Sequence, residues 1–453
     1  MTPLMIMLLV GAFVAGAAWW RRALIWVFVM LCIEGLPRLW LGDPAVLLVK
    51  DSMLLGIYVG FAGTLVTRRV NTPLPRVLGI PLLAFAALAL MELLNPNLGD
   101  VWVGLVGVKS TLFYIPLVFV VQAVLPDSDA IGGFVEQLLF LSVPVCITGL
   151  VQFFVGPASY RELGGEFSEA LFVTGGYVDA QSEIYRPNAT FAWSGHYGAF
   201  LLFSSVLSLG VALAPRERTR RKWYVAITAL NLTAALTSGQ RALFVFLPLS
   251  LVVILLFHGL RVRMTLMAVC LVCVVVASTL LIAGPYVADR FLSMFEHPAD
   301  SIVEDYGQAV LHNFSIASTG TALGSGLGSA TPAARHVGDY TSIENHYAKT
   351  LYELGWAGLV VFLWLLGALL TLSWTTVRRT HVPWSHSLAA AIFAIQASVA
   401  VWGMTVCMLD FSVFALPFWG VTGVLARLSA TGGSFEGAAT APVLVSLRQV
   451  SHA

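Results

Sequence analysis

Apolar runs long enough to cross a lipid bilayer recur along nearly the whole chain and leave few folds open to it. Soluble chains are about a quarter charged, whereas this one is 58% hydrophobic and only 11% charged. In lipid, backbone polar groups are satisfied only within helices or closed barrels, and unbroken apolar runs favour helices. We therefore predict an all-α polytopic membrane protein with about 12–14 transmembrane helices. Thirteen candidate spans lie at about 3–20, 23–40, 45–67, 77–94, 101–125, 131–155, 189–214, 222–238, 241–260, 264–284, 346–374, 386–409 and 411–428.

Short basic clusters between these runs indicate how the chain is oriented. They lie at 19–22, 68–76, 216–222, 261–263 and 377–381, and with thirteen spans all five fall on one side. Lys and Arg favour the cytoplasmic side of a membrane. We predict an outside N-terminus, a single membrane domain at 1–430, and a cytoplasmic tail at 431–453. The connection near Asp127 also falls inside, without basic residues. Because the basic residues lie in short clusters between apolar runs, nothing in the sequence indicates nucleic acid binding.

Two outer connections are much longer than the others, at about 156–188 and about 285–345. Loops of this length are uncommon unless they are functional or disordered. Both contain aromatic and apolar residues, so we expect two larger periplasmic loops that pack over the membrane domain. Within the second, Ile302, Tyr306, Val310 and Phe314 recur every four residues, which predicts an amphipathic surface helix.

Ionisable residues within the spans gather in the outer half of the membrane. They are Lys50, Asp51, Glu92, Lys109, Arg241 and Glu353, with His346 and Asp410 at the same surface. Intramembrane charges commonly mark functional sites, so the one-sided group predicts an outward-facing polar cavity. Glu353 is expected about 10 Å deeper than His346 on one helical face. Lys50, Asp51 and Lys109 alternatively pair with one another between helices, and that structural interpretation is slightly favoured.

The chemistry predicted for this cavity needs neither a metal nor a cofactor. Neither HExxH nor a Walker loop occurs in the sequence, and the five cysteines all lie in apolar runs. A DxD stretch, Asp127-Ser128-Asp129, lies in an inner connection and not in this outer cavity. An outer face has no nucleotide supply, so a substrate there would carry its own activation, as a lipid diphosphate does. Arg241 and Arg186 suit the diphosphate, and His346 suits the removal of a proton from an attacking hydroxyl.

Five stretches resemble a known family. They are "TSGQRALFVFLPLSLVVILL", the Gly-rich "TALGSGLGSA", the spacing His346-x6-Glu353-x-Gly355, "YRPNATFAWSGHYGAFLL" and "LLVKDSMLLGIYV". In this order and topology they resemble the O-antigen polymerase and O-antigen ligase superfamily of membrane glycosyltransferases. The resemblance covers the C-terminal two thirds well and the first third loosely. Tyr347 departs from it, because members often carry Asn after the histidine.

The resemblance implies inverting glycosyl transfer on the outer face of the membrane, from an undecaprenyl-diphosphate-linked glycan to a sugar hydroxyl. Repeat-unit polymerisation into O-antigen or exopolysaccharide is favoured, ligation to a lipid A core acceptor is the alternative, and transport of a lipid or solute is an alternative of another class. Membrane lipid and a chain-length regulator are expected partners.

The residue roles that follow are expectations of the same kind. His346 would be catalytic, Arg241 and Arg186 would bind diphosphate, and Glu353, Lys109, Lys50 and Asp51 would support them. Gly324, Gly326 and Gly328 form either a phosphate-binding nest or, as favoured, a flexible loop. The spans that start at 241 and 346 are expected to be neighbours, with Arg241 and His346 facing one cavity.

Overall fold

The computed structural model describes residues 3–41, 44–67, 72, 74–156, 186–292, 299–318 and 323–431. Within these ranges the regular elements are helices. Eight helices are long and apolar enough to cross a membrane, which confirms an all-α, multi-pass class. Most of the predicted loop at 156–188 and nearly all of the tail at 431–453 lie outside the described residues.

The first half of the chain contains eight helices within the described residues. They are α1 Pro3–Ala18, α2 Trp20–Ile33, α3 Gly35–Leu41, α4 Leu48–Val66, α5 Arg76–Met91, α6 Val101–Thr111, α7 Leu117–Val124 and α8 Ser128–Val155. The predicted runs at 23–40 and 101–125 are therefore each broken in two. A proline follows each break, Pro37 after α2 and Pro116 after α6, and its missing N–H prevents the preceding helix from continuing.

The second half contains eight more helices within the described residues. They are α9 Ser194–Leu213, α10 Arg221–Thr237, α11 Arg241–Phe257, α12 Val262–Leu292, α13 Ala299–Ser318, α14 His346–Arg379, α15 Pro383–Trp402 and α16 Ser412–Ala430. α12 continues beyond 285, where the second loop was expected to begin. α13 is the helix predicted from the four-residue spacing, and its Phe314 and Ala317 pack with Leu351 of α14.

The central helix of the bundle is α9. Its spanning window is 94% buried, and it packs against α8, α10, α11, α15 and α16. Small and hydroxyl side chains let neighbouring helices approach it closely. On α10, the buried Asn231 amide donates to Ser208 Oγ at 3.3 Å and to the Ser204 carbonyl at 3.5 Å. These bonds satisfy polar groups that lipid could not.

The N-terminal helix α1 runs parallel to α4. Ser52 Oγ donates to the Leu9 carbonyl at 2.7 Å, and a Cβ on Gly60 would lie only 2.5 Å from the Ala17 carbonyl oxygen. Pairing that advances in the same direction on both helices requires parallel axes. α1 therefore ends where α4 ends, and this places Arg21 and Arg22 at the C-terminal end of α4.

Helix directions and contacts place the described residues of the basic clusters at one end of the bundle, which we call the basic end. There Arg216 pairs with Asp129 and Arg427 donates to the Pro126 carbonyl. The acidic connection near Asp127 thus sits among arginines from neighbouring helices. The opposite end, where α9, α11, α14 and α16 begin, carries the candidate site and is called the site end.

Candidate functional site

Helix α14 reverses direction at Gly355. The His346 and Phe362 ring centroids are 5.1 Å apart, although sixteen residues of continuous helix would separate them by about 24 Å. Gly355 has φ 66° and ψ −171°, a conformation adopted essentially only by glycine. Residues 346–354 therefore fold back along the start of the long helix that follows, and form a helical hairpin.

The Gly-rich segment fills the bend of this hairpin. Ser325 N–H donates to the Tyr352 carbonyl at 2.7 Å, and Gly326 N–H donates to the Glu353 carbonyl at 3.1 Å. A Cβ on Gly324 would overlap the Glu353 carbonyl oxygen, so only glycine permits this approach. The segment is a wedge, and the flexible-loop interpretation is wrong. The N–H groups of Ser325 and Gly326 bind protein carbonyls, which leaves the phosphate nest without these two donors.

Lys349 lies between two buried carboxylates. Its Nζ is 3.1 Å from Glu353 Oε2 and 3.0 Å from Asp410 Oδ1. The other Glu353 oxygen accepts from Ala330 N–H at 2.9 Å and from Thr331 Oγ1 at 3.1 Å. Glu353 is thus tied to the segment that follows the glycines. The expectation that it lies deeper than His346 is wrong, because the reversal at Gly355 carries it away from the membrane interior.

His346 begins the hairpin and is anchored by its backbone. Its N–H donates to the Gly403 carbonyl at 2.8 Å, and the preceding Asn345 caps the helix by accepting from Tyr347 and Ala348 N–H. Tyr347, at the position that departs from the family, donates its hydroxyl to the Ala400 carbonyl at 2.6 Å. The start of α14 is therefore fixed to the end of α15.

A small cavity of about 20 Å³ adjoins His346. Thr111, His346 and Asp410 contribute its polar lining, and apolar side chains of α5, α14 and α16 line the rest. His346 Nδ1, Asp410 Oδ2 and Thr111 Oγ1 are buried and accept or donate no hydrogen bond within the described residues. Asp410 lies between α15 and α16, where burial raises the pKa of its carboxyl against the opposing Lys349 charge. Sequence reasoning missed Thr111, whose one signal is its position two residues after Lys109.

A second group of charges, the N-terminal ion network, comprises the buried Glu34, Lys50 and Asp51 together with Lys109, whose side chain is 39% exposed. Lys50 Nζ lies 3.0 Å from Glu34 Oε2, and Lys109 Nζ lies 3.1 Å from Asp51 Oδ2. Tyr114 donates its hydroxyl to Asp51 Oδ1 at 2.8 Å. Pairing of Lys109 with Asp51 agrees with the structural interpretation. The ion pair of Lys50 is instead with Glu34, an ionisable residue in the 23–40 run that sequence reasoning did not single out.

Arg186 and Arg241 lie close together at the site end. Gly239, two residues before Arg241, packs against Arg186 so tightly that a Cβ there would lie 2.9 Å from Arg186 Cγ. The same Cβ would lie 2.5 Å from the Tyr286 hydroxyl. The turn between α10 and α11 thereby brings Arg186 to the start of α11, the helix that begins at Arg241.

The start of α9 connects this arginine pair to Asp410. Gln240, next to Arg241, packs its side chain against Gly198 of α9. His196, on the same helix, lies 5.5 Å from the Phe411 ring between centroids, next to Asp410. The arginines and the hairpin thus belong to one end of the bundle.

The spans that start at 241 and 346 were predicted to be neighbours, and they contact each other at their C-terminal ends. α11 and α14 touch through Phe257 and Trp374, whose ring centroids are 5.1 Å apart. At the site end the α11 residue Phe246 stacks on Trp402 of α15, and His346 is bonded to the next residue, Gly403. The small cavity is lined by α5, α6, α14 and α16 rather than by α11. A larger cavity shared by Arg241 and His346 stays a prediction.

No family model matches the chain, and no curated protein matches it either. The motifs that resemble the membrane glycosyltransferases, and the geometry of the residues within them, are therefore what points to a function. The structure gives those motifs distinct places. The histidine and glutamate occupy one helical hairpin, the glycines fill its bend, and Arg241 lies across the start of α9.

Proposed function

We propose that this protein is a membrane glycosyltransferase that polymerises undecaprenyl-diphosphate-linked repeat units on the outer side of an inner membrane. One observation carries the proposal: Arg186 packs on Gly239, two residues before Arg241, at the same end of the bundle as the anchored His346. That end is opposite the five basic clusters, and clusters of Lys and Arg favour the cytoplasm. The site end therefore faces outward.

The two arginines bind the diphosphate of the donor. A guanidinium presents a planar set of donors that matches phosphate oxygens bidentately. Two of them side by side hold four oxygens in a fixed arrangement and stabilise the negative charge that grows on the diphosphate as it leaves. Arg186 and Arg241 are suited to this role because the Arg186 side chain packs on Gly239, two residues before Arg241.

His346 acts on the acceptor. Its imidazole takes the proton of the attacking sugar hydroxyl while the new C–O bond forms at the anomeric carbon and the bond to the diphosphate oxygen breaks. Undecaprenyl diphosphate leaves with the bonding electron pair, and attack from the opposite face inverts the anomeric carbon. A second lipid-linked repeat unit as acceptor gives polymerisation, and a lipid A core acceptor gives ligation. The stretches "LVKDSMLLGIYVG" and 156–188 favour polymerisation by resemblance.

The deciding experiment is gel analysis of surface glycan in a deletion strain that carries plasmid-borne variants. Arg241→Ala should abolish the polymer while the protein remains inserted, and Arg241→Lys should recover only part, since an ammonium cannot replace a bidentate fork. Arg335→Ala is the matched control, because Arg335 is exposed in the connection that leads to the hairpin. Full polymer length with Arg241→Ala would refute the diphosphate role.

The same gel separates the two glycosyl transfers. Glycan that stops at one repeat in the deletion strain supports polymerisation. Undecorated core, together with accumulated lipid-linked polymer, identifies the ligase instead. His346→Ala should lower activity about 10²–10⁴-fold, the usual contribution of positioned acid or base catalysis. Rescue by His346→Gln would show that the residue only forms a hydrogen bond.

A further inference from the structure

We infer that Thr111 binds the nucleophilic hydroxyl of the acceptor, together with Asp410 and His346. The inference rests on the proposed glycosyl transfer and names the residues on which its acceptor is held. Thr111 belongs to α6, in the part of the chain that the family resemblance covers loosely.

The geometry points to a ligand because three residues that line one cavity each carry a buried polar atom without a hydrogen-bond partner within the described residues. Within the described residues, His346 Nδ1, Asp410 Oδ2 and Thr111 Oγ1 form no hydrogen bond, and each is buried. The His346 residue is 9% exposed and the Asp410 side chain 3% exposed. Buried polar atoms nearly always have partners. Three orphan atoms around one cavity, contributed by three separate elements, indicate a group that arrives from outside the protein.

The size and charge of the cavity select a hydroxyl. Its volume of about 20 Å³ fits a single water-sized group. Asp410 Oδ2 can only accept from such a group when ionised, and Thr111 can donate to it or accept from it. A phosphate is both too large and repelled by the Asp410 charge. The acceptor hydroxyl therefore binds here, and the donor diphosphate binds at the arginine pair.

Thr111 is held firmly enough to orient a ligand. It is the last residue of α6, two residues after Lys109, which is tied to Asp51 at 3.1 Å. On the next turn, Leu112 N–H donates to the Val108 carbonyl at 2.9 Å. Asp410 is fixed in turn by Lys349 at 3.0 Å. Fixed donors and acceptors lose little entropy on binding, which favours a defined orientation of the hydroxyl.

The test compares Thr111→Val, which keeps the shape and removes the hydroxyl, with Thr111→Ser, which keeps the hydroxyl. Transfer is measured on purified protein in nanodiscs, with lipid-linked repeat unit as donor and free repeat-unit oligosaccharide as acceptor. The free oligosaccharide lacks a diphosphate and serves only as acceptor. Loss of one hydrogen bond predicts a fall of about 2- to 12-fold in kcat/KM for the acceptor. The KM for the donor should not change, and Thr111→Ser should stay near wild type.

A stability measurement separates binding from a structural role. Removing a hydroxyl without a partner should leave the unfolding temperature of Thr111→Val equal to or above that of wild type. Thr148→Val is the control, because Thr148 Oγ1 bonds the Pro144 carbonyl at 2.9 Å on an exposed surface. A lower unfolding temperature in Thr111→Val alone, or an unchanged acceptor kcat/KM, overturns the inference.

Failure of the proposed function gives a different pattern. If wild-type protein transfers no glycan, thermal stabilisation by the free oligosaccharide still reports binding at this site. Stabilisation of wild type and Thr111→Ser but not of Thr111→Val supports hydroxyl binding without transfer. Transfer by wild type with equal acceptor kinetics in Thr111→Val refutes the Thr111 role and leaves the transferase standing. Absence of both transfer and stabilisation overturns both.

Discussion

Two groups of buried charge within the same bundle are built in different ways. In the N-terminal ion network each carboxylate faces one lysine, Glu34 facing Lys50 and Asp51 facing Lys109. In the hairpin region a single Lys349 serves both Glu353 and Asp410. In the first group, the buried oxygens without a hydrogen bond, Glu34 Oε2 and Asp51 Oδ2, are the ones that contact the lysines, whereas in the second Asp410 Oδ2 is not the oxygen that contacts Lys349.

The contrast shows how one set of residue types can serve either structure or binding. Pairs of one lysine and one carboxylate neutralise each other between helices and suit the low dielectric of a membrane. One lysine between two carboxylates leaves a carboxylate oxygen able to accept a hydrogen bond from a ligand. Burial of a charged group therefore does not by itself identify a binding site. A buried carboxylate oxygen that can still accept a hydrogen bond is more informative.

The largest effect is expected from Lys349→Met. Two carboxylates would lose their shared cation inside the bundle, and breaking a buried ion pair costs about 3–5 kcal/mol even with one carboxylate left. Thermal or denaturant unfolding in detergent should show a strong loss of stability, and glycan transfer should disappear. Lys222→Met, at an exposed lysine of the basic end, is the control. A shift no larger than that of the control would contradict the shared role of Lys349.

The second-largest effect should distinguish the N-terminal ion network from the hairpin region. Lys50→Met should cost about 3–5 kcal/mol because Glu34 is left unpaired, whereas Lys50→Met with Glu34→Gln should cost much less. The corresponding double variant, Lys349→Met with Glu353→Gln, should stay strongly destabilised, because Asp410 still lacks its cation. A double-mutant cycle measures both couplings. Equal recovery of stability in the two double variants would show that the two groups of charges do not differ in this way.

A smaller effect is expected from Gly355→Ala. The φ of 66° and ψ of −171° cost a residue with a Cβ about 1–3 kcal/mol, and relaxation of the bend would displace His346. Stability in detergent and glycan transfer should both fall. Gly367→Ala, in the straight part of the same helix with nothing near the added Cβ, should stabilise by roughly 0.5–1 kcal/mol. A gain of stability at both positions would show that α14 has no fixed reversal.

The smallest effect is expected at the basic end. Arg216 pairs with Asp129, whose side chain is 82% exposed, and exposed ion pairs contribute about 0–1 kcal/mol. Asp129→Asn should therefore change stability little, and added salt should erase the change. A loss comparable to that of Lys50→Met would show that exposure does not separate the two kinds of pair.

Apolar runs made the class of the fold predictable from sequence. Every one of the thirteen runs contains a helix, because length and hydropathy alone decide whether a segment suits lipid. The basic clusters were also predicted to share a side, since only their spacing along the chain matters. Of the site, the contact of Arg186 with Gly239 brings one predicted diphosphate residue to the start of the helix that begins at the other, and the diphosphate role itself stays a prediction.

Local reversals and long-range pairs were not predictable in the same way. A glycine in an apolar run gives no sign that its φ is positive. Glu353 was therefore predicted to lie deeper in the membrane than His346, whereas it lies next to the bend of the hairpin, on the side of the outer loop. The pair of Lys50 with Glu34 joins different helices, and no periodicity indicates which carboxylate a lysine meets. Thr111 was missed for a related reason, because an ordinary threonine becomes informative only when its hydroxyl has no partner.

The shared position of Lys349 also has a consequence for the order in which the chain is made. Asp410 is synthesised 61 residues after Lys349, which at ribosomal speeds of about 5–20 residues per second is a delay of about 3–12 s. Glu353 emerges only four residues later and is the first partner that Lys349 meets. The hairpin can therefore enter the membrane with its lysine already neutralised, and the cavity beside His346 closes only when α16 arrives from the ribosome.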